Sequence, residues 1–468
     1  MSDNTLNKEY IEFLKSSPDK MSSFLSEENN DSKKIYLLKR LGRLRKDFNK
    51  KPLLELLDNP NEDIRYLAIK NLAKLTNESL ITTFFYAATS DKSSMVRREA
   101  VSGLGRMRSV LTIDYLLKLL SDPDPKIVMQ AIRGLLIFKD HDNVKRELKK
   151  LENHPNEMIQ YFIWAETEGS DLSSQNEHKL SNKLLQNCVV NGDVLEILSY
   201  IPENSVHLTF TSPPYYNARD YSIYPSYDYY LSFLRKVFQE IHRITKEGRF
   251  FILNTSPIII PRISRKYSSK RYPIPYDIHS YIVNMGWEFI DDIIWLKPEA
   301  SVKNRNAGFL QHRKPLAYKP NPITEMIMVY RKKTPKLLDW NIHQYDEETV
   351  EKSKVKGDYE TTNVWKIDPT FDKNHSAVFP IELCNRVIKF YSMIGDLVFD
   401  PFAGSGTLGK AAINLDRKFL LTEIDKRYFE AMRRDFHKGD FLTTDALLKR
   451  NITFLTIDQF TRRLKKWQ

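Results

Sequence analysis

The sequence predicts two architectures in tandem: an all-α repeat array, then a doubly wound α/β sheet. Three observations carry this reading. Between residues 62 and 138, apolar residues recur every four positions in three gapless copies. From residue 183 onward, short β-branched and aromatic runs alternate with amphipathic helical stretches. A glycine-rich turn, "DPFAGSGT" (400–407), sits where one of those runs meets a helix.

The copies are "EDIRYLAIKNLAKL" from Glu62, "SMVRREAVSGLGRM" from Ser94 and "PKIVMQAIRGLLIF" from Pro125. Each places a β-branched residue (Ile64, Val96, Ile127), then Ala (Ala68, Ala100, Ala131), then Leu (Leu72, Leu104, Leu135). Spacings of four put these side chains on one helical face. Asn59-Pro60, Asp91 and the Asp122–Pro125 run supply breaks and caps before the helices. Degenerate copies at 35–44 and 157–166 fit the atypical terminal units of such arrays. The pattern resembles HEAT-type α-solenoids, although its period of 31 to 32 residues is shorter than the ~40 usual for them. A plain helical bundle is the alternative. With its charge nearly balanced, the array is a poor main surface for nucleic acid. It is expected to dock on the following domain or on a protein partner of unknown identity, outside any ligand pocket. The local basic cluster Arg97, Arg98, Arg106 and Arg108 keeps an embrace of nucleic acid open.

Composition bounds the class. The 468 residues suffice for two or three domains. No apolar run approaches the ~20 residues of a membrane span, and "MSDNTLNKEY" lacks the features of a signal peptide. Cys188 and Cys384 are too few and too far apart for a disulfide framework or a Cys-rich zinc site. The ten histidines show no HExxH or paired spacing, so no metal is expected. These features point to a reducing, cytoplasmic compartment.

Net charge is +12, unevenly spread. Residues 1–180 hold 29 Lys and Arg against 27 Asp and Glu; residues 262–333 hold 14 against 6. A concentration of that kind is the footprint of a phosphate backbone, or a basic face kept for solubility.

The α/β part yields six expected strands: 206–210, 248–254, 289–296, 323–331, 396–400 and 418–425. Helices are expected at 229–245 and 381–392. Two loops stand out. "TSPPYYNARDY" (211–221) follows an apolar run, and Pro213 and Pro214 must stop that strand and stiffen what comes after. In "DPFAGSGT", Gly404 and Gly406 allow a tight turn and close approach of backbone to a ligand. Strand 418–425 brings Glu423, an acid suited to ribose hydroxyls. The spacing lacks both GxGxxG and GK[ST], so NAD and ATP are poor candidates.

Together "TSPPY" and "DPFAGSGT" resemble the S-adenosylmethionine-dependent DNA amino-methyltransferases, and their order resembles class β of that family. "NGDVLEIL" (191–198), "NVWKI" (363–367) and "HSAVFP" (375–380) fit as well. The resemblance covers roughly 183–435 and implies a Rossmann-like methyltransferase sheet. It also implies roles. Asp193 would bond the cofactor's adenine amine, or simply cap the helix at 194–199. Asp400 would meet the cofactor's ammonium and Glu423 its ribose. Pro401, Phe402, Ala403, Gly404, Ser405, Gly406 and Thr407 would line the cofactor, with Phe379 and Pro380 completing the wall or packing in the core. Ser212 and the Pro213 carbonyl would accept the two N–H bonds of a base amine, Pro214 would hold the loop, and Tyr215 would stack on a flipped base. Arg262, Arg265 and Lys266, with Lys303, Arg305, Arg313 and Lys314, would hold double-stranded DNA.

Ser212 in place of Asp or Asn resembles the cytosine-N(4) branch; adenine-N(6) methylation is the alternative, and a repeat scaffold with an inactive methyltransferase fold the third. Restriction-modification is the implied setting, and no nuclease-like carboxylate–lysine cluster is visible, so a restriction endonuclease would be a separate chain. The expected division is a helical repeat domain at 1–166 and a linker at 167–182. A methyltransferase domain at 183–440 follows, with target recognition within about 261–375, then a tail at 441–468.

Overall fold

The computed structural model describes residues 6–45, 47–168, 181–216, 224–260, 264, 266–267, 270–301, 315, 322–359, 361–370, 379–439 and 451–465. The chain divides into two compact units, Met1–Ser170 and Asp171–Gln468.

In the first unit the three predicted copies are helices Glu62–Leu72, Ser94–Met107 and Pro125–Leu135. All nine repeat-face residues named above are at most 1% exposed. The degenerate copies are helices Asp31–Arg40 and Glu157–Glu168. An acid opens successive helices and an arginine of the preceding one grips it. Asp91 accepts from Ser93 N and pairs with Arg65 at 2.8 Å. Asp124 caps Pro125–Leu135 and pairs with Arg98 at 2.8 Å. Arg97 occupies the repeat position of Arg65, and each donates to carbonyls of the turn before its own helix. Arg106 pairs with Glu99 at 3.0 Å. Of the Arg97, Arg98, Arg106 and Arg108 cluster, Arg98 ties one repeat to the next, Arg97 holds the turn before its own helix, and Arg106 pairs within its own helix with 45% of its side chain exposed.

The second unit is built on strands β1 (Cys188–Asn191), β2 (Val206–Thr211), β3 (Thr245–Thr255), β4 (Ile258–Ile260), β5 (Lys270–Tyr272), β6 (Trp287–Leu296), β7 (Thr324–Lys332), β8 (Val364–Lys366), β9 (Leu397–Asp400), β10 (Lys418–Glu423) and β11 (Thr453–Thr456). Nine of them form one sheet in the order β11-β1-β10-β9-β2-β3-β7-β6-β8, and β4 pairs with β5 as a separate hairpin. Among the described strands of the nine-stranded sheet, only β7 runs antiparallel to its neighbours, β3 and β6. Every residue of β2 and β9 is buried, as parallel strands covered on both faces must be. Helices Val194–Tyr200, Tyr227–Ile244, Ile274–Asn284 and Ile457–Lys465 supply one core layer. Helices Ile381–Tyr391, Thr407–Asn414 and Lys426–Lys438 supply the other.

The six expected strands and two expected helices are present, with ends shifted by one to three residues. Among the features that escaped the sequence reading are β1, the β4–β5 hairpin, β8, helices Ile274–Asn284 and Lys426–Lys438, and the β11 strand with its helix. Residues 441–468 thus hold an edge strand paired in parallel with β1, where a tail was expected. Helix Glu157–Glu168 runs into the expected linker at 167–182, and Ser181 at its far end donates to the Ser205 carbonyl at 2.6 Å. No helix of the described residues is long and apolar enough to cross a membrane.

Two glycines set the approach of adjacent repeats. A Cβ on Gly105 would lie 3.1 Å from Gly134 Cα, and one on Gly134 would lie 2.9 Å from Leu116 Cδ1. Gly-to-Ala inside a helix ordinarily stabilises by about 1 kcal/mol. Here Gly105→Ala and Gly134→Ala are each expected to lower the melting temperature of the repeat unit, as read by thermal denaturation followed by circular dichroism.

Candidate active site

The sheet switches direction between β9 and β2. From β9 the neighbours run through β10 to β1; from β2 they run through β3 to β7. Ligands of open α/β sheets bind at the carboxyl ends of strands at such a point. Adjacent strands lie about 4.8 Å apart, so loops leaving β9 and β2 must meet. They do: Thr211 Oγ1, at the end of β2, donates to Asp400 Oδ1 at 2.7 Å. The proline loop and the glycine loop are tied together by that bond.

On the β9 side, Asp400 is buried and also accepts from Phe402 N at 3.0 Å. Burial raises its pKa to about 6, against the pull of those two donors. Gly404 and Gly406 both have φ in the left-handed region, 52° and 73°, as the turn into helix Thr407–Asn414 demands. At Gly406 a Cβ would also come within 2.8 Å of Met432 Sδ. Glu423 ends β10 and holds the same turn: its Oε2 accepts from Gly404 N and its Oε1 from Asp425 N, each at 2.8 Å. Burial lifts Glu423 to about 7, with Asp400 and Asp425 adding repulsion. Among the described residues, neither Asp400 nor Glu423 has a cationic partner. Two buried acids without cations are suited to a ligand that brings its own positive charge and hydroxyl donors.

The remaining cofactor candidates fall around them. Pro401, Ala403 and Thr407 are buried, while Phe402 and Ser405 are half-buried. The Pro401 carbonyl accepts from Thr422 Oγ1 at 2.7 Å, and Ser405 and Thr407 share a 3.0 Å contact. Asp193 lies beside Glu423, because Gly192 N donates to the Glu423 carbonyl at 3.2 Å. It is exposed, and its Oδ1 caps helix Val194–Tyr200 through Leu195 N and Glu196 N. Phe379 stacks on buried Phe210 at 4.7 Å and packs with the core, and Pro380 caps helix Ile381–Tyr391. One residue the sequence reading passed over is Ile424, 69% exposed directly after Glu423. Its place after the acid was readable in the sequence; its exposure was not.

On the β2 side, Pro213 is buried and Ser212 and Pro214 are half-buried. Tyr215 is half-buried too, and its hydroxyl reaches Glu325 Oε2 at 3.3 Å. Burial and the Glu325 charge push that phenol well above its ordinary pKa. Asn254, near the end of β3, donates to Ser212 Oγ at 3.4 Å and to Glu325 at 2.5 Å. Lys297 pairs with Glu325. Asn254, Lys297 and Glu325 were all missed from sequence, because only β3–β7–β6 pairing assembles them. Of the DNA-binding candidates, Lys266 is described and is exposed. Arg262, Arg265, Lys303, Arg305, Arg313 and Lys314 lie outside the described residues, as does the 217–223 stretch of the tyrosine-rich loop.

Residues 206–434 match the N6/N4 methyltransferase family model, described as DNA methylase. Residues 50–137 and 81–161 match HEAT repeats. The second unit therefore carries an N6/N4-type DNA methylase domain, and the first carries HEAT repeats. The chain is 28% identical over 257 residues to the Type II beta methyltransferase M.BslI of Bacillus sp. (strain NEB-606), covering 52% of this chain and 27% of that one. It is 27% identical over 272 residues to the Type II methyltransferase M.Cfr9I of Citrobacter freundii, covering 51% and 84%. The solved structure of TTHA0409, a DNA modification methylase of Thermus thermophilus complexed with S-adenosyl-L-methionine, is 25% identical. It covers 58% of this chain and 98% of that one, with a TM-score of 0.45. The chain thus spans about a quarter of M.BslI and most of M.Cfr9I.

The buried acids make a pH prediction. Asp400 and Glu423 keep their protons to about pH 6 and 7 in the folded chain, against ordinary values of 3.8 and 4.5. Between those limits the native state binds more protons than the unfolded one, so these groups lower stability as pH rises through the window. Glu423→Gln should therefore gain stability relative to the parent chain between about pH 5 and pH 7.5, as the Glu423 carboxylate ionises. Melting temperatures across that range test it, and a constant difference would refute it.

Proposed function

We propose that this chain transfers a methyl group from S-adenosylmethionine to the exocyclic amine of a base in duplex DNA, with cytosine-N(4) as the product position. The observation that carries the reading is the Thr211–Asp400 bond, which sets the SPPY acceptors beside two buried, cation-free acids. S-adenosylmethionine would supply an electrophilic methyl on a positively charged sulfur. Asp400 would bind the ammonium of its amino-acid part, Glu423 the ribose hydroxyls, Asp193 the adenine amine, and Ile424 the adenine face.

The acceptor side addresses a chemical difficulty. An aromatic amine's lone pair is delocalised into its ring, which makes it a weak nucleophile. Ser212 Oγ and the Pro213 carbonyl would accept its two N–H bonds and draw the nitrogen toward tetrahedral geometry. The lone pair would then face the donor's methyl carbon in line, the nitrogen gaining the methyl as the donor's sulfur keeps the electrons of its broken bond, and the extra proton on nitrogen would pass to water. Positioning and fixed dipoles carry the rate, with no covalent intermediate on the protein. The base must leave the duplex to reach this site. Ser212, where the adenine branch would carry Asp or Asn, favours cytosine; the setting we assign is restriction-modification, and the compartment the cytoplasm.

Nucleoside mass spectrometry of DNA from cells expressing the chain should reveal N(4)-methylcytosine. Methyladenine alone would transfer the assignment to the adenine branch. Bound cofactor without any base methylation would leave an inactive fold on a repeat scaffold. Two variants should separate the two halves of the site. Glu423→Ala should weaken cofactor binding by ~1.5–3 kcal/mol, the scale of a hydrogen bond to a charged group. Tyr215→Ala should abolish most turnover and leave cofactor affinity nearly intact. Equal loss of cofactor in both would contradict this division.

A further inference from the structure

We propose that Glu325, with Lys297 as its counter-ion, is a positioning residue for methyl transfer: it fixes the Tyr215 ring and the Ser212 hydroxyl from behind the proline loop. The inference rests on the methyltransferase reading and concerns residues that neither the motif nor its glycine partner contains.

Four strands' ends converge on the carboxylate. Glu325 is the second residue of β7, and antiparallel pairing sets it opposite Trp295 of β6, two residues before Lys297. Lys297 Nζ pairs with Glu325 Oε1 and lies 4.3 Å from the Trp295 ring centroid. Both partners of the pair have 17% of their side-chain surface exposed, so the pair sits largely out of solvent. Glu325 Oε2 takes the Tyr215 hydroxyl and the Asn254 amide. The Asn254 amide nitrogen reaches Ser212 Oγ as well, so both of its protons are committed and the group cannot turn over. Asn254 is 1% exposed, and its buried carbonyl oxygen has no hydrogen-bond partner among the described residues.

A buried ion pair contributes little to stability on balance, because desolvation offsets the attraction. A hydrophobic pair of similar volume would serve the fold as well. What the pair adds is direction. The carboxylate is an acceptor at a fixed place on rigid sheet backbone, and it orients one group of the loop directly and another through Asn254. A loop that must hold a base within reacting distance gains from such anchoring, since misplacement by about 1 Å can cost ~100-fold in rate.

Two variants of the full chain and their combination test this, read by single-turnover transfer to duplex DNA. The paired change Glu325→Gln with Lys297→Met removes both charges together and strands neither. Tyr215→Phe removes only the hydroxyl. Each should slow transfer by about 100-fold while affinities for S-adenosylmethionine and DNA, and the melting temperature, stay at parent values. Combining them should slow transfer no further, as expected for groups acting as one unit. Losses that multiply, an unchanged rate in the paired variant, or cofactor affinity falling in step with rate would each overturn the assignment. An unmodified chain that binds cofactor yet methylates no DNA would instead remove the functional reading on which it stands.

Discussion

The rest of the second unit depends on one constraint: β9 and β2 must run parallel as neighbours and end level. Their register pairs Leu208 with Val398 and Thr209 with Phe399, which leaves Thr211 and Asp400 at the same edge. Were that register to slip by one residue, every side chain would change face. Buried Asp400 would then turn away from the turn it organises, and the proline loop would lose its tether. The opposite end of the strands is clamped to prevent this. Asp396, ahead of β9, is fully buried between Arg249, at 2.6 Å, and His207 of β2, at 3.4 Å. Tyr345 donates a 2.6 Å hydrogen bond to the same carboxylate. Breaking such a buried pair by removing one partner is strongly unfavourable, so the clamp specifies register as well as contact.

The sheet order then sorts chemistry by position. Reading outward from β9, the carboxyl ends present Asp400, Glu423 and the Gly192–Asp193 turn, which are acids and backbone suited to a nucleoside bearing a cation. Reading outward from β2, the same edge presents Ser212 and Asn254 from the carboxyl ends of β2 and β3 and Glu325 from the start of antiparallel β7: two neutral polar groups backed by a compensated charge. A transferred group would cross at the boundary, where two loops are already bonded. Each of these residues stands at a strand terminus or in the turn after one.

Much of this was legible because local patterns carried it. Spacing of four marked the repeat helices, and Ile64, Ala68 and Leu72 with their counterparts are the buried face. Proline pairs and left-handed glycines announced the two loops, since few other residues adopt those backbones. The missing parts were non-local. β11 is four residues, "TFLT", too short to separate from a loop without knowing that β1 needs a partner. Glu325 stands near the start of an apolar strand and Lys297 just past the end of another, 28 residues apart. Each alone reads as an exposed strand end, and only the β6–β7 pairing turns them toward one another. The partners of the arginines at 97, 98 and 106 were hidden for the converse reason: a count of charges does not reveal which acids and carbonyls of the repeats they bond.

The place of β1 in the sheet has a consequence for synthesis. Both of its neighbours, β10 and β11, lie far downstream, and the Asn191 side chain reaches the Glu423 carbonyl across 232 residues. The repeat unit, whose contacts run between successive helices, can fold as it emerges from the ribosome. The strand that follows it cannot. It must wait, with the N–H and C=O groups of both edges unpaired and its apolar faces uncovered, until some 230 further residues have been made. At 5 to 20 residues per second that is roughly 10 to 50 seconds. During that interval the finished repeat array is the folded mass attached to it, and a cell would meet a helical body carrying a β-domain that is still incomplete.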